Sequence, residues 1–212
     1  MLQLQSFTYN AFQENTYVLY NEEGQCWITD PGMMDAAETA HFLHFIKEKQ
    51  WQPQGIINTH AHIDHVLGVD AVASAFSISF RLHEAERMIL ENAGNTARMF
   101  GFDFQGVSTR PEYLSGERSL QLGTDTLEIR FVPGHSPGSI ALYHAPGNWL
   151  IAGDTLFYGS IGRTDLPGGD YDTLINSIRQ QILSLPGDTR VYPGHGPATT
   201  VAQELANNPF LR

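Results

Sequence analysis

Five times along this chain an apolar, β-like run stops and a histidine or an aspartate follows at once. Asp30 follows QCWIT, His60 and His62 follow GIINT, and His135 follows LEIRFVPG. Asp154 follows NWLIAG, and His195 follows TRVYPG. The runs are rich in β-branched and aromatic residues and are bounded by turn-formers, which predicts strands. Strand ends along one sheet edge are where a scaffold converges side chains that are far apart in sequence. Glycine and proline beside them permit close backbone approach and unusual dihedral angles. The chain therefore needs a fold in which several strands end on a common edge.

The remaining periodicities fill in that fold. LQLQSFTY, NTYVLYN, SISFRL, SLQL and SIALYHA read as further strands. Residues 35–50 place Ala36, Ala37, Ala40, Leu43 and Ile46 at roughly helical spacing. HVLGVDAVASAF, EAERMILENA, YDTLINSIRQQILSL and TTVAQELANN read as helices, and residues 94–118 as a loop with partial structure. Strands followed by a helix occur twice. The expectation is one domain over residues 1–212, its two halves meeting near residue 115. The layered solution is two sheets packed face to face with helices outside.

The stretch NTHAHIDH, residues 58–65, carries the chemistry. Histidine with carboxylate is the usual ligand set for zinc, iron or manganese. His60 and His62 flank one residue and point the same way in an extended turn, while Asp64 and His65 open the next helix. Four groups from one short loop crowd a single tetrahedral ion, and two neighbouring ions relieve the crowding. His60, His62 and His135 would hold one, Asp64, His65 and His195 the other, with Asp154 bridging. His41 and His44 belong to a helix flank, His144 to a strand and His83 to a helix start, so these four are set aside.

Composition narrows the partners. Lysine and arginine number 12 against 23 aspartates and glutamates, a net charge of −11, with no basic cluster. That argues against nucleic acid, whose binding is driven by release of counterions from phosphates. No apolar run approaches the roughly 20 residues of a membrane span. Cys26, the single cysteine, cannot form an intrachain disulfide and reads as a buried thiol. No signal peptide is evident, so a cytoplasmic setting is expected.

THAHIDH, with His135, Asp154 and His195 following in order, resembles the signature of the metallo-β-lactamase superfamily. That resemblance covers nearly the whole chain and implies an αββα sandwich with the site at one edge of its two sheets. GDTLFYGSIGRTDLPGGD (153–170), VYPGHGPATT (191–200) and the closing NPF (208–210) are similar to the small glyoxalase II-like hydrolases. Full-length glyoxalase II has a helical C-terminal domain that helps bind glutathione. Only 17 residues follow His195 here (212 − 195), so an enzyme without that domain is expected. The cysteine ligand of the commonest β-lactamases has no counterpart, since Asp154 stands at the matching position.

The resemblance implies hydrolysis of a small-molecule thioester of the S-lactoylglutathione type, with two divalent ions per chain, zinc first, iron or manganese as alternatives. Asp64 would orient the nucleophile, and Asp154 would bridge the ions. Asp30 would fix a ligand histidine or merely serve the Asp-Pro-Gly turn. Arg163 would hold a substrate carboxylate or form a surface ion pair. A persulfide dioxygenase with one iron, and lactonase or phosphodiesterase activity on the same fold, are the competing readings. The oligomeric state is not legible from these residues.

Overall fold

The computed structural model describes residues 1–212. They form two compact units, Met1–Ser115 with Leu122–Asp125, and Gly116–Gln121 with Thr126–Arg212.

The first unit holds a six-stranded sheet in sequential order. Its strands are β1 (Gln3–Tyr9), β2 (Glu14–Tyr20), β3 (Gln25–Thr29), β4 (Gln52–Ile57), β5 (Phe80–His83) and β6 (Glu112–Leu114). β1, β2 and β3 pair antiparallel, and β3 through β6 pair parallel. Short turns suffice for the antiparallel strands, whereas a parallel pair needs a crossover. Helix α1 (Ala36–Glu48) supplies the first crossover. Asp35 caps α1, accepting hydrogen bonds from the amides of Ala37 and Glu38 at 2.8 Å each. Phe42 and Ile46 of α1 are buried with Val18, Ile28, Ile56, Val72 and Phe80.

Two departures from the sequence reading have local causes. HVLGVDAVASAF is not one helix but α2 (Ile63–Val66) and α3 (Val69–Phe76). The break falls at Gly68, whose amide donates to the Pro31 carbonyl at 2.8 Å. A Cβ at Gly68 would come within 2.8 Å of Met33 Cε and 2.9 Å of the Pro31 carbonyl, so the turn after β3 presses directly on this position. EAERMILENA divides in a similar way, and residues 94–118, expected as a loop with partial structure, are more ordered than their periodicity suggests. A 3₁₀ turn at Glu84–Glu86 leads into α4 (Arg87–Glu91) and α5 (Ala93–Met99), and β6 follows. α5 buries only the small residues Ala93, Gly94 and Ala97, which leave little apolar periodicity to read.

The second unit carries β7 (Ser119–Leu122), β8 (Asp125–Phe131), β9 (Ile140–His144) and β10 (Trp149–Gly153). A hairpin of two-residue strands follows, β11 (Leu156–Phe157) and β12 (Ser160–Ile161), then α6 (Tyr171–Ser177), β13 (Arg190–Pro193), β14 (Thr199–Thr200) and α7 (Val201–Asn207). The sheet order is β14-β13-β10-β9-β8-β7. β9 and β10 are buried along their whole length, which explains their unbroken apolar runs. α6 continues as a π-helical turn over Ile178–Ile182 and lies within the parallel connection from β10 to β13. Leu174, Ile178 and Ile182 pack with Leu150, Ala152 and Val191. The expected tail helix starts at Val201, because Thr199 and Thr200 pair with Val191 and Arg190.

Candidate metal centre

In the first unit, β4 ends at Ile57 and the chain turns through Asn58, Thr59 and His60 before α2. His62 occupies the N-cap position of α2 with extended dihedrals, and its imidazole does not cap the helix. The Asn58 side-chain amide donates to the His65 carbonyl at 2.6 Å and closes the loop on itself. The His60 ring lies 4.1 Å from the His65 ring and 4.8 Å from the His62 ring, centroid to centroid.

Asp30 organises this loop from β3. Its backbone is in the left-handed region, with φ of 51°, and its side chain is buried. Oδ1 accepts from the Thr59 amide at 2.7 Å, and Oδ2 accepts from the Thr59 hydroxyl at 2.6 Å. The same Oδ2 lies 3.1 Å from His65 Nδ1. That pairing places the His65 proton on Nδ1 and turns Nε2 to the other side, where it lies 3.5 Å from Asp64 Oδ2. Asp30, His60 and His65 also bring ligand atoms within 4.8 Å of one another. The Asp30 oxygens are already engaged by Thr59 and His65, which suits an orienting role better than ligation.

Two buried acids in this unit carry no signal in the sequence. Glu14 lies at the start of β2 among buried residues, accepts from the Thr16 hydroxyl at 2.9 Å and stands 3.8 Å from His65 Nδ1. Burial raises its carboxyl well above the usual range; His65 opposes the shift and Asp30 adds to it. Glu86 is fully buried and accepts from the Ala61 amide at 2.8 Å, between the two histidines of the HxH pair. Acidic residues usually mark solvent in a pattern reading, so only long-range contacts disclose these two.

In the second unit, His135, Asp154 and His195 leave the ends of β8, β10 and β13 and come together. Gly134 has a φ of 130° and Gly153 a φ of 51°, so glycine precedes two of the three for a backbone reason. His135 Nδ1 faces the Arg163 carbonyl at 2.8 Å, which fixes the proton on Nδ1 and leaves Nε2 as the donor atom. His135 Nε2 lies 3.6 Å from Asp154 Oδ2, and His195 Nε2 lies 3.4 Å from that same oxygen.

These spacings test whether the side chains suit a metal. Nitrogen and oxygen ligands sit about 2.0–2.2 Å from zinc, so two ligands at a tetrahedral angle are about 3.4 Å apart. The pairs Asp64–His65, His135–Asp154 and His195–Asp154 lie at 3.5, 3.6 and 3.4 Å. A hydrogen-bonded pair would close to about 2.7–3.2 Å. Each unit therefore presents donor atoms at the separation of neighbours around one ion.

Arg163 does two things. Its carbonyl receives His135, and its guanidinium makes a two-pronged pair with Asp165, both distances 2.7 Å, with side chains 58% and 68% exposed. The four histidines set aside stand elsewhere. His83 Nδ1 accepts from the Ala85 amide at 3.3 Å, as a cap does. His144 is buried against Trp149, His41 meets the Tyr9 hydroxyl at 3.0 Å, and His44 is exposed beside Glu48.

The chain belongs to the metallo-β-lactamase superfamily, whose sequence profile matches residues 9–195. Its fold is the α/β, αββα fold of that superfamily. The chain is similar to the hydroxyacylglutathione hydrolase GloC of Haemophilus influenzae, at 34% identity over 203 residues that cover 95% of this chain and 94% of the relative. Among solved structures it is similar to the BLEG-1 B3 metallo-β-lactamase, with a TM-score of 0.91, 41% identity and 99% of both chains covered. It is also similar to TTHA1623 in a di-iron-bound form, with a TM-score of 0.84, 37% identity and coverage of 98% and 100%. The class of the protein is thus a metal-dependent hydrolase with histidine-rich groups suited to divalent ions. A small-molecule substrate follows from that class. No helix is long and apolar enough to cross a membrane.

Proposed function

We propose that the chain is a binuclear hydrolase of acyl thioesters of the hydroxyacylglutathione type. The observation that supports it best is the pair of imidazole nitrogens 3.4 and 3.6 Å from one oxygen of Asp154. Two imidazoles that converge on a single carboxylate oxygen support the reading of Asp154 as a group that two neighbouring ions would share. His60, His62 and His135 would hold one ion, and Asp64, His65 and His195 the other, with Asp154 common to both. Zinc suits nitrogen and oxygen donors at these spacings, and iron or manganese would be accepted by the same set.

Divalent ions held by these residues would supply Lewis acidity toward water and toward the scissile carbonyl. The protein's part is to hold donors and substrate in place. Asp30 keeps the His65 proton on Nδ1, and the Arg163 carbonyl does the same for His135. Asp64 presents a carboxylate oxygen that can accept a hydrogen bond from the attacking nucleophile and aim it. The exposed Arg163 guanidinium would exchange its partner Asp165 for a carboxylate of the substrate. The name borne by the Haemophilus relative supports the thioester, in keeping with the resemblance of the stretch 153–170 to the glyoxalase II-like hydrolases.

The test is a substrate panel with metal counted in parallel. Protein purified with zinc, iron or manganese is assayed on S-lactoylglutathione, other acyl thioesters, a lactone, a phosphodiester, a β-lactam, and glutathione persulfide with oxygen uptake recorded. Thioester hydrolysis with two ions per chain is expected, and His195→Ala should lose one ion and most of the activity. Full activity with one ion, or turnover confined to another member of the panel, overturns the reading.

A further inference from the structure

One fully buried carboxylate of the second unit has no part in the chemistry above. Glu204, on α7, ties together three stretches of the chain. Oε1 accepts from the Thr199 hydroxyl at 2.6 Å. Oε2 accepts from the Gly159 amide at 2.9 Å and from the Asn208 side-chain amide at 2.7 Å. Asn208 also donates to the Ser160 carbonyl at 3.0 Å. Gly159 lies in the turn of the β11–β12 hairpin and Ser160 opens β12, so the hairpin is held at its tip through an amide and a carbonyl.

That hairpin starts and ends at the metal centre. It leaves from Asp154 and returns through Gly162 to Arg163. The return is close, since a Cβ at Gly162 would run into the Asp154 carbonyl and come within 3.2 Å of His135 Cβ. The Gly162 amide donates to the Thr155 carbonyl at 3.3 Å, and the Arg163 carbonyl then receives His135 Nδ1 at 2.8 Å. The tautomer of His135 thus depends on where the hairpin returns, and the turn of the hairpin is fixed to Glu204.

A buried carboxylate is costly unless donors satisfy it, and this one has three. All three reach it from outside α7 or from its end. We propose that Glu204 is a positioning residue. Through the β11–β12 hairpin it sets the place of the Arg163 carbonyl, and so the Nδ1–H tautomer and the orientation of His135. The closing VYPGHGPATT and NPF stretches earn their place here by supplying Thr199 and Asn208. The consequence for metal affinity rests on the binuclear reading; the tautomer itself does not.

The experiment compares wild type, Glu204→Gln and Asn208→Ala. Glutamine puts a donor where the carboxylate accepted three hydrogen bonds, whereas Asn208→Ala removes only one donor and the Ser160 tie. Nitrogen-15 NMR of the histidine rings in metal-free protein, with His135 assigned by its loss in His135→Gln, reads the tautomer. Zinc affinity is read separately by competition with a chelator. Wild type should show His135 as the Nδ1–H form. Glu204→Gln should shift it to a mixture and weaken zinc binding by roughly 10–100-fold, the range for losing a partner of a ligand. Asn208→Ala should do the same to a smaller extent, and it decides the matter if Glu204→Gln does not fold. An unchanged His135 tautomer in a folded variant, even one that melts earlier, overturns the proposal. Failure of wild type to bind zinc while the tautomer shifts would instead count against the binuclear reading alone.

Discussion

Asp30 Oδ2 lies 3.1 Å from His65 Nδ1 while Asp30 itself sits at a φ of 51°. One residue therefore has both to adopt a left-handed backbone and to present a carboxylate. Asparagine tolerates that backbone far better than most residues, so Asp30→Asn isolates the carboxylate. The variant should fold and should bind metal roughly 10–100-fold more weakly, because His65 loses the partner that fixes its tautomer. Chelator competition against the wild type checks this, and equal affinity would show that Asp30 serves the turn alone.

Arg163 and Asp165 form an exposed pair, and exposed pairs contribute little to stability. Removing Arg163 should leave thermal stability unchanged. Arg163→Ala should raise KM for anionic thioesters and leave kcat nearly constant, since the contact is with a part of the substrate that does not react. Asp165→Ala releases the guanidinium from its competitor and should lower KM. Steady-state kinetics of the two variants against a neutral thioester as control decides the point.

Asp70 anchors the segment before β6. It accepts from the amides and hydroxyls of Ser108 and Thr109 at 2.6–3.1 Å. Burial works to raise its carboxyl, but the hydrogen bonds from Thr109 and Ser108 outweigh it, and the net shift is downward. A folded value below the unfolded one, about 3.9, means stabilisation that is complete above that pH. It is lost as pH falls through the lower folded value. Asp70→Asn should cost about 1 kcal/mol at neutral pH, and the gap to wild type should narrow in acid. Urea unfolding of both proteins across that range reads the gap directly.

Cys26 is buried in β3, and burial pushes its thiol up to about 12. The thiolate is the reactive form, so at neutral pH this cysteine should be inert. An aromatic disulfide reagent should label the folded protein slowly and the urea-unfolded protein stoichiometrically. Rapid labelling of the folded chain would contradict the burial.

The candidate ligand residues and much of the β-architecture were legible in the chain, because both are written at short range. A strand followed by glycine and then by histidine or aspartate announces itself, as it does at Gly134-His135 and Gly153-Asp154. The HxHxDH run is likewise local, with His62 at the N-cap of α2 and Asp64 in its first turn. What tertiary structure decided lies between residues far apart. His65 takes its tautomer from Asp30, 35 residues earlier, and His135 takes its own from a backbone carbonyl 28 residues later. No side-chain pattern can announce a carbonyl. Nor can periodicity single out Glu14, Glu86 and Glu204, since a buried acid looks like a surface one until its donors are in place. Helix breaks at Gly68 followed the same rule, because the pressure there comes from Pro31 and Met33. Residue type and spacing set which groups are candidates for the chemistry; contacts made by the folded chain set which nitrogen of His65 and of His135 keeps the proton.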